Sequence, residues 1–202
     1  MKQLHIITPV KDSIESTLRT IDAVLDSEIN VPFTYTIYND FSTPENTALL
    51  ENKAQHLGFQ LVNLSDLTQH PSPNYLLVLQ RERELCLQED AALLIVESDV
   101  TVKPDTLQGL WDGAMERKDC GMAASVTVDE KGKVNYPYLF ARRMGKQVTS
   151  TRHHCSFCCT LLTNELLRRV DFGLLDSTKN WFDVTISHLS LESGLQNYLF
   201  PS

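Results

Sequence analysis

Three acidic positions carry most of the chemistry that this 202-residue sequence could perform: Asp40, the pair Glu97 and Asp99, and Asp183. Asp40 follows the β-branched and aromatic run Phe33 to Tyr38, and Glu97-Ser98-Asp99 follows directly on the apolar run Ala91 to Val96. In an extended segment, side chains two residues apart point the same way. Glu97 and Asp99 would then present two carboxylates to one hard divalent cation, which takes oxygen ligands and bridges a diphosphate. Asp183, at the start of a C-terminal helix, could take a proton from a hydroxyl. Each position also has a plainer reading. A strand leaving a core meets solvent through acids, Asp40 and Asp183 suit turn or helix caps, and Arg81 suits a solvated helix face.

A second group, His153-His154-Cys155-Ser156-Phe157-Cys158-Cys159, has the residue types of a zinc or dithiol site. It lacks a second ligand pair at defined spacing, and it does not open a helix after a strand. Cys158 to Leu162 therefore reads as a small-residue strand entering the core. Five cysteines, an odd number sparsely placed, point to reduced thiols.

The elements that must position these residues alternate. Leu4 to Ile7 reads as a buried strand closed by Thr8-Pro9, and Ile14, Leu18, Ile21 and Leu25 form one face of a helix capped by Asp12 or Ser13. Phe33 to Tyr38 is a second strand. Pro44 opens a helix that Gly58 stops, and Phe59 to Leu64 is a third strand. Ser65 to Pro73 is loop, Tyr75 to Gln88 helix, and Ala91 to Val96 a central strand covered on both faces. A helix with Leu107, Leu110, Trp111, Ala114 and Met115 on one side follows Pro104. Further on, Val126 to Val128 and Tyr136 to Phe140 look strand-like, Asn164 to Val170 is helix, and a last helix surrounds Asp183 to Leu191. Strand-helix alternation implies a mainly parallel sheet with helices on both faces, with ligands outside the carboxyl ends of the strands.

Composition narrows the partners. The formal charge is −8, with 18 Lys+Arg against 26 Asp+Glu and no basic run, which argues against a nucleic-acid or anionic-membrane partner. At 42% hydrophobic residues the chain can bury a core as one domain. Its longest apolar stretch, Ala91 to Val96, is far below the roughly 20 residues a transmembrane helix needs. Pro9, Lys11 and Asp12 interrupt any secretory h-region, so a cytoplasmic protein is expected.

The order of these segments resembles the GT-A glycosyltransferases of family 2, which transfer a sugar from a nucleoside diphosphate. Thr8-Pro9-Val10 is similar to the end of the family's first strand, and Asn39-Asp40-Phe41-Ser42-Thr43 to its Asp-Asp-Gly-Ser-Thr segment. Arg81, sixteen residues before Glu97, resembles the Arg of the family's Ala-Arg-Asn segment. Glu97-Ser98-Asp99-Val100 resembles the metal-binding Asp-x-Asp. Trp181-Phe182-Asp183, with Gly194 and Pro201 after it, is similar to the family's Glu-Asp helix and following Gly-strand-Pro.

The resemblance implies a single α/β domain of GT-A (Rossmann-like) fold, with residues 1–104 as the nucleotide-binding half and 105–202 as the acceptor-side half. It implies a hexosyltransferase-type enzyme (EC 2.4) that is metal-dependent and inverting, with a UDP-sugar donor, Mn2+ or Mg2+, and a carbohydrate or other hydroxyl acceptor. Thr8, Pro9, Asp40, Arg81 and Glu97 would meet the nucleotide. Asp99 with Glu97 would hold the metal, and Asp183 would be the base.

The sequence departs from the pattern in places. Phe41 stands where the family has Gly, so a different turn is expected, and Phe182 stands where it has Glu. The family often continues beyond this point to a His that completes the metal site. These departures favour an alternative, a degenerate GT-A domain that binds nucleotide or glycan without turnover.

Overall fold

The computed structural model describes residues 2–136, 138–143, 145, 147–179 and 181–201. The first half alternates as expected: β1 (Gln3–Val10), α1 (Ile14–Leu25), β2 (Phe33–Asn39), α2 (Pro44–Ala54), β3 (Gln60–Asn63), α3 (Tyr75–Glu89), β4 (Ala91–Val96) and α4 (Thr106–Met115). There follow β5 (Cys120–Ser125), β6 (Thr149–Thr151), β7 (Cys159–Leu162), α5 (Asn164–Arg169), α6 (Phe182–Glu192) and β8 (Gln196–Phe200). Among the described residues the strands form one eight-stranded sheet in the order β3-β2-β1-β4-β7-β5-β8-β6. It runs without a break through both halves of the chain. β7 is antiparallel to both β4 and β5, so those two share a direction, and only β6 and β7 run against the rest.

Side chains of β4 show how the sheet divides the core. All six are buried. Ala91, Leu93 and Ile95 join the cluster that contains Val78 and Leu79 of α3, Leu166 of α5 and Ile186 of α6. Ala92, Leu94 and Val96 join Ile21 of α1, Leu50 of α2 and Leu107 of α4. Burying one Val, Leu or Ile side chain contributes about 1.5–3 kcal/mol, and a one-residue slip would exchange the two faces, so the register is tightly specified. The continuous apolar run is thus explained by helices on both sides.

Several expected boundaries shift. β1 does not close at Thr8 but continues to Val10. Its pairing with β4 ends at Ile7, while pairing with β2 continues to Val10, whose carbonyl accepts from Asp40 N. Because backbone groups alternate sides, Pro9 turns its missing N–H toward the side where β4 has already left. α2 ends at Ala54, short of Gly58. Ser13 is the N-cap of α1 but makes no side-chain cap bond. Asp12 reaches instead across to α2.

The second half departs further. Val126 to Val128 is no strand, since only Val128 makes an isolated bridge, to Val134. Of Tyr136 to Phe140, Pro137 lies outside the described residues, and Tyr138–Arg143 is a 3-10 turn rather than a strand. Its Tyr138 is fully buried and donates to the Ser156 carbonyl at 3.2 Å. β5, Cys-Gly-Met-Ala-Ala-Ser, carries little strand propensity and is held by β7 and β8 on its two sides. α6 ends through Gly194 at φ 84, with Leu195 N bonded to the Ser190 carbonyl, and that reversal feeds β8.

Candidate active site

The exit of β4 and the entry of β7 meet at one place, because an antiparallel strand begins where its neighbour ends. Glu97 N donates to the Cys158 carbonyl at 3.0 Å. Residues 153–158, which looked like a thiol site in isolation, are thereby brought over the acidic segment. The chain turns at once after Glu97, with Val100 N bonded to the Glu97 carbonyl at 3.1 Å. This overturns the expectation of an extended Glu97-x-Asp99. By the parity of β4, Glu97 leaves on the α3 and α6 face. The exposed Asp99 lines a cavity of about 530 Å³ with Arg19, Lys103, Thr106 and Ser125.

Asp183 comes to the same place from α6. Its Oδ1 accepts from Val184 N at 2.8 Å. Ser187 one turn on donates to the Asp183 carbonyl and accepts from Cys155 N, which ties the helix start to the segment before β7. Burial raises the Asp183 carboxyl, against the Val184 N–H and the neighbouring His154, which favour its charged form. Burial also raises Glu97, and the charges of Asp99 and Asp183 push it further, against a hydrogen bond from the Cys158 thiol. Glu97, Asp99 and Asp183 are therefore one electrostatic group, although their oxygens are not drawn together to a common ligand distance.

This donor set fits a hard divalent cation. It is carboxylate oxygen, Glu97 is pushed toward its neutral form by burial and then by the charges of Asp99 and Asp183, and Mn2+ or Mg2+ prefers such ligands. Thiol chemistry is disfavoured here. Burial holds Cys158 up at about 11 and Cys159 at about 12.

The residues expected to meet a nucleotide are placed less uniformly. Pro9 is half-buried at the end of β1. Thr8 is fully buried and shares a 3.0 Å hydrogen bond with the Tyr35 hydroxyl. Asp40 sits at the end of β2 and accepts from Ser72 Oγ, Asn74 N and Asn74 Nδ2, each at 2.8 Å. Arg81 lies two turns down α3, roughly 9 Å along the axis from Tyr75 at 1.5 Å per residue. It is exposed, with its guanidinium against the Tyr38 hydroxyl.

The turn after β2 places a non-glycine residue in a conformation that favours glycine. Phe41 adopts φ 59, a left-handed conformation that costs a non-glycine residue about 1–2 kcal/mol. Its ring packs against the core, which offsets that cost. Asp12 braces the same turn, its Oδ1 accepting from Thr43 N at 2.8 Å and Asn46 Nδ2 at 3.0 Å.

Sequence reasoning missed four contributors. Arg19 and Lys103 reach the Asp99 cavity from α1 and from the loop before α4. His154 lies close enough to Asp183 to act on its charge, and Tyr75 stacks beside it. The last two had a visible signal in the His-Cys segment and in the residue opening α3, but only the antiparallel course of β7 gives it meaning.

A different cluster lies toward the amino end of β1. His5 Nδ1 is 3.1 Å from Glu82 Oε2 and its Nε2 is 3.1 Å from Glu89 Oε2. Tyr38 donates to the other Glu82 oxygen. His5, Glu82 and Cys86 bring their ligand atoms within 4.8 Å of one another. Both His5 nitrogens face carboxylate oxygens, whose hydrogen bonds and charges raise the ring above its ordinary value against the effect of burial and so favour a protonated ring over a metal ligand. The cluster is a hydrogen-bonded clamp between β1 and α3, buried at His5 and Glu82 and exposed at Glu89.

No family model matches the sequence, and no curated protein matches it. Solved structures do match. The mannosyltransferase PcManGT from Pyrobaculum calidifontis, in complex with GDP-Man and Mn2+, is similar with a TM-score of 0.66 at 14% identity, over 98% of this chain and 55% of its own. S. aureus TarS 1-349 gives a TM-score of 0.64 at 13% identity over 99% of this chain and 58% of its own. Its complex with UDP-GlcNAc gives 0.62 at 13% identity, with the same coverage. The chain spans a little over half the length of these structures. The fold is that of the GT-A glycosyltransferases, as the order of motifs implied.

Proposed function

We propose that this chain is a metal-dependent, inverting glycosyltransferase of the family 2 type, which moves a sugar from a nucleoside diphosphate, UDP in the first instance, to a carbohydrate or other hydroxyl acceptor. The observation that carries this reading is the gathering of Glu97, Asp99 and Asp183 from two distant segments at the exit of a fully buried strand. The donors and Mn2+ bound by PcManGT and TarS support the substrate class.

A divalent cation held by Asp99 and Glu97 would supply positive charge to the leaving diphosphate. Arg19 and Lys103, on the wall of the same cavity, hold the phosphates in this reading. Pro9, Asp40, Thr8 and Arg81 define the nucleoside side, and residues 1–104 are the donor half. Asp183, in the acceptor half 105–202, removes the acceptor proton. Its raised affinity for protons suits a base better than an ordinary surface carboxylate. Attack from the face opposite the diphosphate inverts the anomeric carbon.

One observation favours the degenerate domain, with a weakened donor side. Thr8 is engaged by Tyr35 and Arg81 by Tyr38, so two donor contacts of the resemblance are occupied internally. Incubation with UDP- and GDP-sugars and a panel of glycan acceptors decides between the readings. Turnover that falls about 10²–10⁴-fold in Asp183→Asn, with nucleotide affinity kept, establishes the transferase and its base. Metal-dependent binding with no turnover in the parent establishes the binding domain, and unchanged turnover in the variant removes Asp183 as base.

A further inference from the structure

We propose that a second cavity, walled by Phe140, Arg152 and His153, receives the acceptor, and that this acceptor is a carbohydrate bearing a phosphate or carboxylate. The proposal rests on the transferase reading above and names the class of its acceptor.

The cavity, of about 560 Å³, opens between the 3-10 turn Tyr138–Arg143 and the edge strand β6, with Leu199 of β8 in its wall. Phe140 forms one side. Its ring is 41% exposed and packs on the His153 imidazole, with centroids 4.2 Å apart, and edge-on to the buried Tyr138 at 6.1 Å. Tyr138 is anchored to the Ser156 carbonyl, so the aromatic face is held from beneath while the rest of it meets solvent. Thr149 and Thr151 of β6 line the same cavity. An exposed ring beside a few hydroxyls suits a sugar, which lays its C–H face on the ring and its own hydroxyls on the polar groups.

Charge selects among sugars. No Asp or Glu lines this cavity among the described residues, although the chain as a whole carries −8. The sequence gives the cause: between Glu130 and Glu165 it has no acid, while Lys131, Lys133, Arg142, Arg143, Lys146 and Arg152 all fall there. These basic residues are dispersed, so no run marks them. Arg83, Arg117, Arg168 and Arg169 each pair with a carboxylate. Arg152, by contrast, is exposed at the cavity and has neither an ion pair nor a side-chain hydrogen bond among the described residues. A free guanidinium presents a fork of donors that matches two oxygens of a carboxylate or phosphate. A layer of lipid headgroups would use the charge but leave the concave wall of ring and hydroxyls empty.

One short segment separates this cavity from the proposed base. From His153 to Cys155 the chain spans at most about 7 Å. Cys155 N donates to Ser187 Oγ at 2.9 Å, and Ser187 donates to the Asp183 carbonyl at 2.7 Å. A short oligosaccharide anchored at Arg152 is long enough to bring a hydroxyl to the start of α6.

Titration of glucose-6-phosphate, glucuronate, methyl glucoside and inorganic phosphate into the whole chain at fixed ionic strength tests the cavity, with UDP and GDP in Mn2+ titrated alongside. At least one anionic sugar is expected to bind tenfold or more tightly than methyl glucoside and than inorganic phosphate, and the stronger of the two identifies the preferred anion. Arg152→Gln should erase that preference, about a tenfold loss, and Phe140→Leu should weaken the anionic sugar severalfold, with both variants melting alongside the parent. Inorganic phosphate that binds as well as the sugar phosphate means an anion site only. A preference unchanged in Arg152→Gln means that another cation holds the anion, and capture by phosphatidylglycerol vesicles without sugar binding means a membrane surface; each of these three overturns the proposal. A parent that binds a nucleotide and none of the sugars overturns this inference alone. A parent that binds an anionic sugar and neither nucleotide overturns the transferase reading, and the acceptor role with it.

Discussion

Asp40 grips Asn74 twice, through the backbone N–H and the side-chain amide, both at 2.8 Å, and so joins the end of β2 to the start of α3. A carboxylate with three internal donors is a structural brace whatever else it meets. Asp40→Ala is expected to cost the ligand-free protein about 2 kcal/mol, because the donors of Ser72 and Asn74 lose their acceptor. For a domain of this size that is a fall of about 4–8 °C in Tm. Differential scanning calorimetry checks it, and an unchanged Tm would return Asp40 to a nucleotide-only role.

Glu97 makes the opposite prediction. Its carboxyl is raised above the ordinary value of 4.5, chiefly by burial and then by Asp99 and Asp183. The folded state therefore holds the proton more tightly than the unfolded chain, and stability falls as pH climbs from the ordinary carboxylate range through the folded value. Glu97→Gln removes that charge. At neutral pH, without metal, the variant is expected to gain about 1 kcal/mol, as site residues relieved of strain commonly do. Its nucleotide affinity in Mn2+ should fall. A variant less stable than the parent by urea titration contradicts the electrostatic account.

The fold was largely legible before any coordinates, while the site was legible in part. β4 announced itself through six apolar residues, because burial on both faces leaves no room for a polar one. β5 was hidden, since Cys120, Gly121 and Ala123 pack between β7 and β8 without strand propensity. The acids were named from their places after apolar strands and at a helix start, but the inference that Glu97 and Asp99 share a side failed at the turn through Val100. Phe41 keeps a glycine conformation that its side chain disfavours, which no rule of residue preference anticipates. His154 comes close to Asp183, and Tyr75 to Phe182, through strand direction and helix placement, long-range facts that local spacing does not encode.

His5 gives a pH dependence at the far end of the molecule. Burial alone would lower its pKa, but the hydrogen bonds and charges of Glu82 and Glu89 outweigh it and raise the ring above 6.5. Cys86 and Tyr38, which donates to Glu82, complete its surroundings. Stability from this clamp is fully present below pH 6.5 and is lost as pH rises through the folded value. Chemical denaturation across that range should show the decline in the parent, and His5→Gln should flatten it. An equal slope in both proteins would mean that another group titrates.

The most direct test of the account is a calorimetric titration of UDP and GDP into the parent and into Asp99→Asn, each with and without Mn2+. Binding of at least one diphosphate that requires Mn2+, weakened tenfold or more in the variant, is the predicted result. Failure of the parent to bind either nucleotide, or binding indifferent to both the metal and Asp99, would contradict it.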